Sequence, residues 1–265
     1  LVMDLDDRHY RNFAFHFLNA YLHRSGDYQG LGVLRYYMVY RALVRAKVAL
    51  LRRQQADPDS ALFETADAEY SQYIQLSARY LAPGRPALLI TCGLSGSGKS
   101  TIARQLCEAS GMIQIRSDIE RKRMSGLETR EKSQSGLGEG LYSADQTEKT
   151  YRRLAELATL VLQSSYSVIV DATFLQRKYR DVFRSLAEKH KLPFTIVHCV
   201  AADKELEQRI QARELEGGDP SEANLHVLNA QRKNQEPLDS DEQSYAIRLY
   251  SQDINDPTAS WRQGI

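Results

Sequence analysis

Short apolar runs alternate with amphipathic stretches from residue 87 onward. The apolar runs have the length of buried strands and lie near 87–92, 113–116, 167–170, 194–200 and, more weakly, 245–250. The stretches between them have helical periodicity and lie near 99–109, 117–125, 143–163, 176–190, 203–216 and 221–234. Such alternation is typical of a parallel sheet covered by helices on both faces. The pattern predicts a three-layer α/β fold with about five parallel strands, which binds ligands beyond the carboxyl ends of its strands.

The part of the chain before this pattern has helical periodicity only. The predicted helices lie at 7–24, 29–53 and about 60–81. The second of them carries an apolar stripe, which predicts a packed face and consists of Leu34, Met38, Leu43, Val44, Val48 and Leu51. The cluster Pro83-Gly84-Arg85-Pro86 interrupts the periodicity. We therefore predict an all-helical segment at 1–82 and an α/β domain at 87–265.

Charge and cysteine content bear on partners and location. Among 265 residues, 35 Lys and Arg nearly balance 34 Asp and Glu, so the net charge is +1. This gives no electrostatic support for nucleic-acid or anionic-membrane binding. The most apolar of the long windows, 31–51, contains four cations, which predicts a soluble amphipathic helix and no membrane partner. No signal peptide is evident, and three widely spaced cysteines without a zinc pattern predict buried thiols and a cytoplasmic location.

A glycine-rich loop follows the first predicted strand and precedes a predicted helix. It matches G-x-x-x-x-G-K-[ST] in full, as Gly93-Leu94-Ser95-Gly96-Ser97-Gly98-Lys99-Ser100-Thr101. The glycines let successive N–H groups point at phosphate oxygens, and the helix N-terminus adds partial positive charge. Lys99 supplies a charge for the β and γ phosphates, and Ser100 offers a hydroxyl to Mg²⁺. Residues 93–101 therefore predict a site for ATP and Mg²⁺, because strand, loop and helix occur in the required order.

Two carboxylates follow later strands. Asp118 comes after the second strand, where a carboxylate can orient an acceptor hydroxyl and accept its proton. Arg121 lies one helical turn further on and is a candidate to hold an anionic group of the acceptor or of ATP. Asp171 ends the third strand and is the candidate carboxylate for Mg²⁺. Its neighbour, Ala172, is not acidic, which favours transfer to an acceptor over hydrolysis. The alternative is that both aspartates only cap helices.

Further candidates lie on the acceptor side of the predicted site. Thr173, Arg177 and Arg180 follow the third strand, although a solvated helix face would explain the two arginines equally well. The stretch 125–142 is rich in Gly, Ser, Glu and Lys. It predicts either a loop on the acceptor side or a segment without a role.

A helix with two arginines follows the fourth strand. Arg209 and Arg213 are four residues apart and share one face, so they could close over the transferred phosphoryl group. We predict a lid around 203–236, with Gly217-Gly218 as a hinge and Asp219 as the cap of the next helix. Ordinary surface arginines are the alternative.

These motifs together resemble the P-loop kinases related to polynucleotide kinase, gluconate kinase and zeta toxin, which are often grouped with AAA-type ATPase domains. The resemblance spans about 87–250 and rests on the phosphate loop, Asp118-x-x-Arg121, Val170-Asp171-Ala172-Thr173-Phe174, the Arg209/Arg213 helix and Gln235-Glu236-Pro237-Leu238-Asp239. It implies the P-loop NTPase fold and phosphorylation of a hydroxyl on a sugar, nucleotide, antibiotic or nucleic-acid end. It does not name the acceptor.

The N-terminal helices resemble a different family. Stretches 4–8, 17–22, 25–28 and 40–48 look like the C-terminal helices of aminoglycoside-phosphotransferase-like proteins, in particular a bacterial class that fuses such a domain to a P-loop kinase. The active-site loop of that fold is absent from this sequence. The resemblance therefore implies a fragment of a longer protein and no catalytic role for residues 1–80.

The sequence predicts an ATP- and Mg²⁺-dependent kinase whose acceptor is a hydroxyl of a small molecule. Lys99, Asp118, Arg209 and Arg213 are the predicted catalytic residues. One alternative is a 5′-hydroxyl polynucleotide kinase, which the net charge disfavours although 116–132 is locally basic. The other is a nucleotide-binding ATPase or regulatory module, which Ala172 disfavours. The oligomeric state is left open.

Overall fold

A computed structural model describes residues 1–82, 84–128, 143–216, 221 and 223–250. The helices of the described part are α1 (Val2–Asp7), α2 (Arg11–Ser25), α3 (Leu31–Gln55), α4 (Ala61–Leu81), α5 (Lys99–Ser110), α6 (Ser117–Met124), α7 (Ala144–Gln163), α8 (Arg177–His190), α9 (Asp203–Glu216), α10 (Leu225–Asn234) and α11 (Ser240–Gln243), with a 3-10 turn at Tyr28–Gly30. The strands are β1 (Leu88–Cys92), β2 (Ile113–Arg116), β3 (Val168–Asp171), β4 (Phe194–Val200) and β5 (Ala246–Tyr250).

The five strands form one parallel sheet in the order β2-β3-β1-β4-β5. All five residues of β1 are buried, and alternate residues face opposite sides of the sheet. Leu88 and Ile90 belong to a core cluster that includes residues of α7 and α8. Leu89 belongs to a second cluster, formed with α5. Helices thus cover both faces, which confirms the predicted α/β fold and all five predicted strands to within one residue at each end.

The register brings the ends of three strands to one edge of the sheet. Arg116 at the end of β2 pairs with Asp171 at the end of β3, and Ile90 of β1 pairs with Val170 of β3. The loop after β1 and the start of α6 lie at the same edge. Residues that are far apart in sequence therefore converge there, as expected for parallel strands.

The N-terminal helices differ from the prediction in their buried face. In α3 the buried residues are Leu31, Ala42, Ala46 and Ala49. Leu34 and Met38 of the predicted stripe do pack against the core. By contrast, Leu43, Val48 and Leu51 are each about 45% exposed, so the predicted stripe is wrong in its second half. The reason is that α4 packs on the alanine face, where small side chains allow two helices to approach closely.

Some predicted boundaries also change. The first predicted helix is two helices, α1 and α2, separated by a turn in which His9 has a φ of 64°. The helix predicted at 221–234 begins at Leu225, and Asn224 is its cap because its side chain accepts a hydrogen bond from the N–H of Val227. Gly217-Gly218, Asp219, Pro83 and residues 129–142 lie outside the described residues. In the described part, every helix is too short or too polar to cross a bilayer.

Candidate active site

The loop between β1 and α5 has the backbone conformation that its glycines permit. Gly93 has a φ of 147°, and a Cβ there would lie 2.4 Å from the carbonyl oxygen of Cys199 in β4. Gly96 has a φ of 84°, and a Cβ there would lie 2.9 Å from the carbonyl oxygen of Leu206 in α9. Only glycine fits both constraints, so these residues let the loop turn tightly against two neighbouring elements.

Lys99 lies inside this loop and is buried. Its Nζ donates a hydrogen bond to the carbonyl oxygen of Leu94 at 2.6 Å and lies 3.5 Å from Oγ of Ser97. Burial lowers the pKa of Lys99, and the negative charge of Asp171 partly offsets that effect. The ammonium group is therefore held where anionic phosphate oxygens would stabilise its charge.

Asp171 lies at the end of β3 and is only 4% exposed. Its Oδ2 accepts a hydrogen bond from Nε2 of Gln114 at 3.0 Å, and Ser100 is a hydrogen-bond partner of the same carboxylate. Burial raises the pKa of Asp171, while Arg116 and Ser100 act in the opposite direction. Ser100 and Asp171, the two predicted Mg²⁺ residues, are thus in direct contact.

The donor set of this pair fits Mg²⁺. A hydroxyl and a carboxylate are hard oxygen ligands, and Mg²⁺ commonly uses one or two protein oxygens together with waters and substrate phosphates. Within the described ranges, His, Cys, Asp and Glu side chains form no group of three or more that could hold a metal. The residues present therefore suit a cation that nucleotide phosphates help to bind, rather than a cation held by protein ligands alone.

Asp118 lies in the first turn of α6 and is held by a neighbouring arginine. Its carboxylate accepts hydrogen bonds from Nε and Nη2 of Arg116 at 3.2 and 2.7 Å, and from the N–H of Ile119 at 2.9 Å. Burial alone would raise the pKa of Asp118, but the charge and hydrogen bonds of Arg116 bring it below its usual value. The N-cap of α6 is Arg116, not Asp118, which argues against a simple capping role for this aspartate.

One cleft of about 1090 Å³ unites these groups. The predicted site residues that line it are Ser95, Gly96, Gly98, Lys99, Ser100, Thr101, Asp118, Arg121, Asp171, Thr173, Arg209 and Arg213. The other predicted loop residues, Gly93, Leu94 and Ser97, do not line the cleft. The cleft lies at the carboxyl edge of the sheet, between α7 and α8 on one side and α9 and α10 on the other.

Comparison with known proteins identifies the α/β part. A family model described as an AAA domain matches residues 88–238, more than half of the chain. The chain belongs to the AAA domain family. The match begins at β1, so the resemblance of residues 1–82 to aminoglycoside phosphotransferases stays a prediction.

Individual proteins are also similar to this AAA domain protein. An uncharacterized protein of Mycobacterium tuberculosis is 28% identical over 265 residues, which are 100% of this chain and 51% of the relative. The chain thus spans about half the length of the curated relatives it matches. A protein of Chloroflexus aurantiacus assigned as a kinase has a similar structure, with a TM-score of 0.52 and 21% identity over 68% of this chain and 99% of that one. A gluconokinase of Sinorhizobium meliloti has a TM-score of 0.47 and 20% identity, and the match covers 68% of this chain and 94% of the gluconokinase.

Of the two α9 arginines of the AAA domain, Arg209 contacts the phosphate loop and Arg213 contacts the segment before α10. Nη1 of Arg209 donates to the carbonyl oxygen of Gly96 at 3.3 Å, and its Nη2 pairs with Glu205 at 2.7 Å. Nη2 of Arg213 donates to the carbonyl oxygen of Ala223 at 2.6 Å. Both side chains line the cleft that contains the phosphate loop.

Arg177 and Arg180 have a different role from the one considered for the acceptor side. Neither is among the residues that line the cleft. Arg180 is 1% exposed and pairs with buried Glu242, and Arg177 pairs with Asp239. Both join α8 to the segment around α11, so their role is structural.

Several residues of the site escaped the sequence analysis. Gln231 of α10 accepts a hydrogen bond from the N–H of Ser95 at 2.9 Å, and Tyr151 of α7 stacks on Tyr179 of α8 with ring centroids 3.8 Å apart. No local pattern marks Gln231, Tyr151 or Tyr179. Gln114 could have been recognised from the sequence, since it is a polar residue between two isoleucines of a buried strand. Arg116 could also have been recognised, because it lies at the end of a strand, immediately before α6.

Proposed function

We propose that this protein is an ATP- and Mg²⁺-dependent kinase that transfers the γ-phosphoryl group to a hydroxyl of a small molecule. The observation that carries the proposal is that one cleft combines the phosphate loop, Asp171, Asp118 and the arginines of α9. Phosphoryl transfer needs a phosphate cradle, a metal site, a group that orients the nucleophile and cations that stabilise the transition state. The cleft provides a candidate for each.

The candidate roles follow from position. The loop amides and Lys99 bind the phosphates, and Ser100 with Asp171 would hold Mg²⁺. When bound, that cation neutralises charge on the β and γ phosphate oxygens. Arg209 and Arg213 stabilise the charge of the transferred group.

Asp118 orients the acceptor hydroxyl. Its lowered pKa keeps the carboxylate ionised at neutral pH, the form that accepts a hydrogen bond from a hydroxyl. A low pKa also makes it a weak base, so orientation contributes more than early proton removal. This is sufficient where the transition state is loose and little proton transfer is needed.

The surroundings of Asp171 support transfer over hydrolysis. Its neighbour Ala172 is 3% exposed, and the N–H of Ala172 donates to Oγ1 of Thr91 at 3.1 Å. Of the described carboxylates that line the cleft, Asp118 and Asp171 are at its floor, and Asp145 and Glu148 lie exposed on α7. None lies next to Asp171 in sequence to activate a water molecule as motor ATPases require.

The 5′-hydroxyl polynucleotide kinase is the second candidate. Arg121, which lines the cleft, and the basic end of α6 are the features that favour it. Asp145 and Glu148 at the rim would repel a phosphate backbone, and the net charge is only +1. A small acceptor is therefore the better fit. A cytoplasmic location, supported by three buried free cysteines, is part of the proposal.

The test is label transfer from radiolabelled ATP to pools of sugars, nucleosides, aminoglycosides and 5′-hydroxyl oligonucleotides. We expect transfer to one small-molecule pool. Asp118→Asn should reduce that transfer by about 10²-fold or more, because a misplaced reacting group can cost about 10²-fold, with little change in ATP affinity. Asp67→Asn is the matched control, since this carboxylate lies on α4, is 47% exposed and does not line the cleft. Hydrolysis of ATP without transfer to any pool would refute the kinase assignment, and full transfer by Asp118→Asn would refute the role of Asp118.

A further inference from the structure

The strand β2 is at one edge of the described sheet, and helix α2 covers it. An edge strand has backbone N–H and C=O groups on its outer side that no strand satisfies, and burying them unpaired is costly. Residues Met112 and Gln114 present such groups on the side away from β3. They are 3% exposed each, so water does not satisfy these groups in place of a strand.

Two side chains of α2 provide the missing partners. Oδ1 of Asn19 accepts from the N–H of Gln114 at 2.7 Å, and Nδ2 of Asn19 donates to the carbonyl oxygen of Met112 at 3.0 Å. One turn later in α2, Nε2 of His23 lies 3.0 Å from the carbonyl oxygen of Gln114. The helix therefore pairs with the strand edge through side chains, as a sixth strand would through its backbone.

Gln114, whose backbone is bonded by Asn19, also contacts the candidate metal site through its side chain. The side chain of Gln114 points to the interior, where its Nε2 donates to Oδ2 of Asp171 at 3.0 Å. Gln114 and Asp171 are both at least 96% buried, so no solvent can replace this bond. A continuous path of hydrogen bonds thus runs from Asn19 through Gln114 to the carboxylate of Asp171.

Helix α2 also contacts the element that carries Asp118. Arg123 of α6 donates to the carbonyl oxygen of His23 and pairs with Glu120, which is 1% exposed. A Cβ at Gly26, just after α2, would lie 2.8 Å from Nε of Arg123, so the packing there is close. The same helix therefore supports both the strand before Asp118 and the end of α6.

We propose that Asn19 and Gln114 are positioning residues that fix the carboxylate of Asp171 for Mg²⁺-dependent nucleotide binding. The N-terminal helical segment is then a working part of the catalytic centre rather than a separate, dispensable cover. This inference rests on the proposed function, because it assigns Asp171 to Mg²⁺. The polar side chain of Asn19 satisfies the strand edge at Gln114, the residue whose side chain donates to Asp171.

The expected effect is on the Mg²⁺-dependent part of ATP affinity. Groups that orient a metal ligand typically contribute about 10–100-fold to metal affinity. Gln114→Met keeps the volume of the side chain but removes the donor to Asp171. Asn19→Ala removes the partners of the strand edge. We expect both to weaken ATP binding in Mg²⁺ by about tenfold or more, and to leave ATP binding in EDTA within about twofold.

The experiment is calorimetric titration of the full chain with ATP in Mg²⁺ and in EDTA. His16→Ala is the matched control, since His16 of α2 is 57% exposed and bonds to Glu108 near the end of α5, at 2.8 Å. It should leave both affinities unchanged. If Asn19→Ala does not fold, Gln114→Met still tests the inference, because Gln114 belongs to β2 and its substitution leaves α2 intact.

The outcomes separate this inference from the proposed function. Equal ATP affinities for Gln114→Met and wild type in Mg²⁺ would overturn the inference alone. So would equal losses in Mg²⁺ and in EDTA, since they would show a general structural effect. A wild-type chain that binds no ATP in either buffer would overturn the proposed function and this inference with it.

Discussion

Arg180 and Glu242 form a buried ion pair whose removal should be strongly destabilising. Each side chain is 1% exposed, and Nε and Nη2 of Arg180 bond to the two carboxylate oxygens at 2.5 and 2.9 Å. Nη1 of Arg180 also donates to the carbonyl oxygens of Phe174 and Glu236 at 3.0 and 3.2 Å. The substitution Arg180→Met fills most of the space but leaves a carboxylate buried without a counter-ion.

The magnitude follows from that uncompensated charge. Removing one partner of a buried pair costs about 3–5 kcal/mol, a large share of the roughly 5–15 kcal/mol by which a domain is stable. At about 2–4 °C per kcal/mol, Tm should fall by roughly 6–20 °C. The double variant Arg180→Met/Glu242→Leu should recover most of the loss, because replacing both charges by apolar groups is often neutral. About 1 kcal/mol should stay lost, since Glu242 also accepts from the N–H of Asp239 in the cap of α11.

Urea unfolding and calorimetry of both variants test this prediction. The control is Arg184→Met, one turn further along α8, whose partner Asp241 is 56% exposed. An exposed pair contributes about 1 kcal/mol or less, so the control should stay close to wild type. ATP affinity of folded Arg180→Met should be unchanged, because Arg180 does not line the cleft. A loss no larger than that of Arg184→Met would refute the argument.

Three further predictions concern the cleft and its support. Lys99→Ala should lower ATP affinity by about 1.5–3 kcal/mol in calorimetric titration, because it removes a charge-assisted contact with the phosphates. Arg209→Ala or Arg213→Ala should lower kcat more than ATP affinity in steady-state assays, whereas equal losses would place them in the ground-state site. Burial lowers the pKa of His23 from 6.5 to about 4, so between these pH values the unfolded chain binds a proton that the folded chain does not. The free energy of unfolding should therefore decrease as pH falls from about 6.5 to 4, with a contribution from His23 of up to about 3 kcal/mol, and the decrease should be smaller in His23→Gln.

The sequence alone determined the sheet and the position of the phosphate loop. Strand periodicity is local, so it located β1 to β5 without knowledge of their neighbours. Lys99, Asp118 and Asp171 each follow or end a predicted strand. Because the carboxyl ends of parallel strands lie at one edge of the sheet, the sequence also predicted that these residues share one site. The structure places all three along one cleft. The tight turn of the loop could be predicted from its glycines, because a backbone with positive φ strongly favours glycine at that position.

Only the tertiary structure decided which partners surround these groups. The sequence predicted one apolar stripe for α3, but the alanine face is buried because α4 approaches it. Arg180 looked like a surface or acceptor residue until folding brought Glu242, 62 residues later, against it. Asn19 and Gln114 are 95 residues apart, and Gln114 and Asp171 are 57 apart. Such contacts leave no period in the sequence, because they depend on how separate elements pack rather than on the conformation of any one of them.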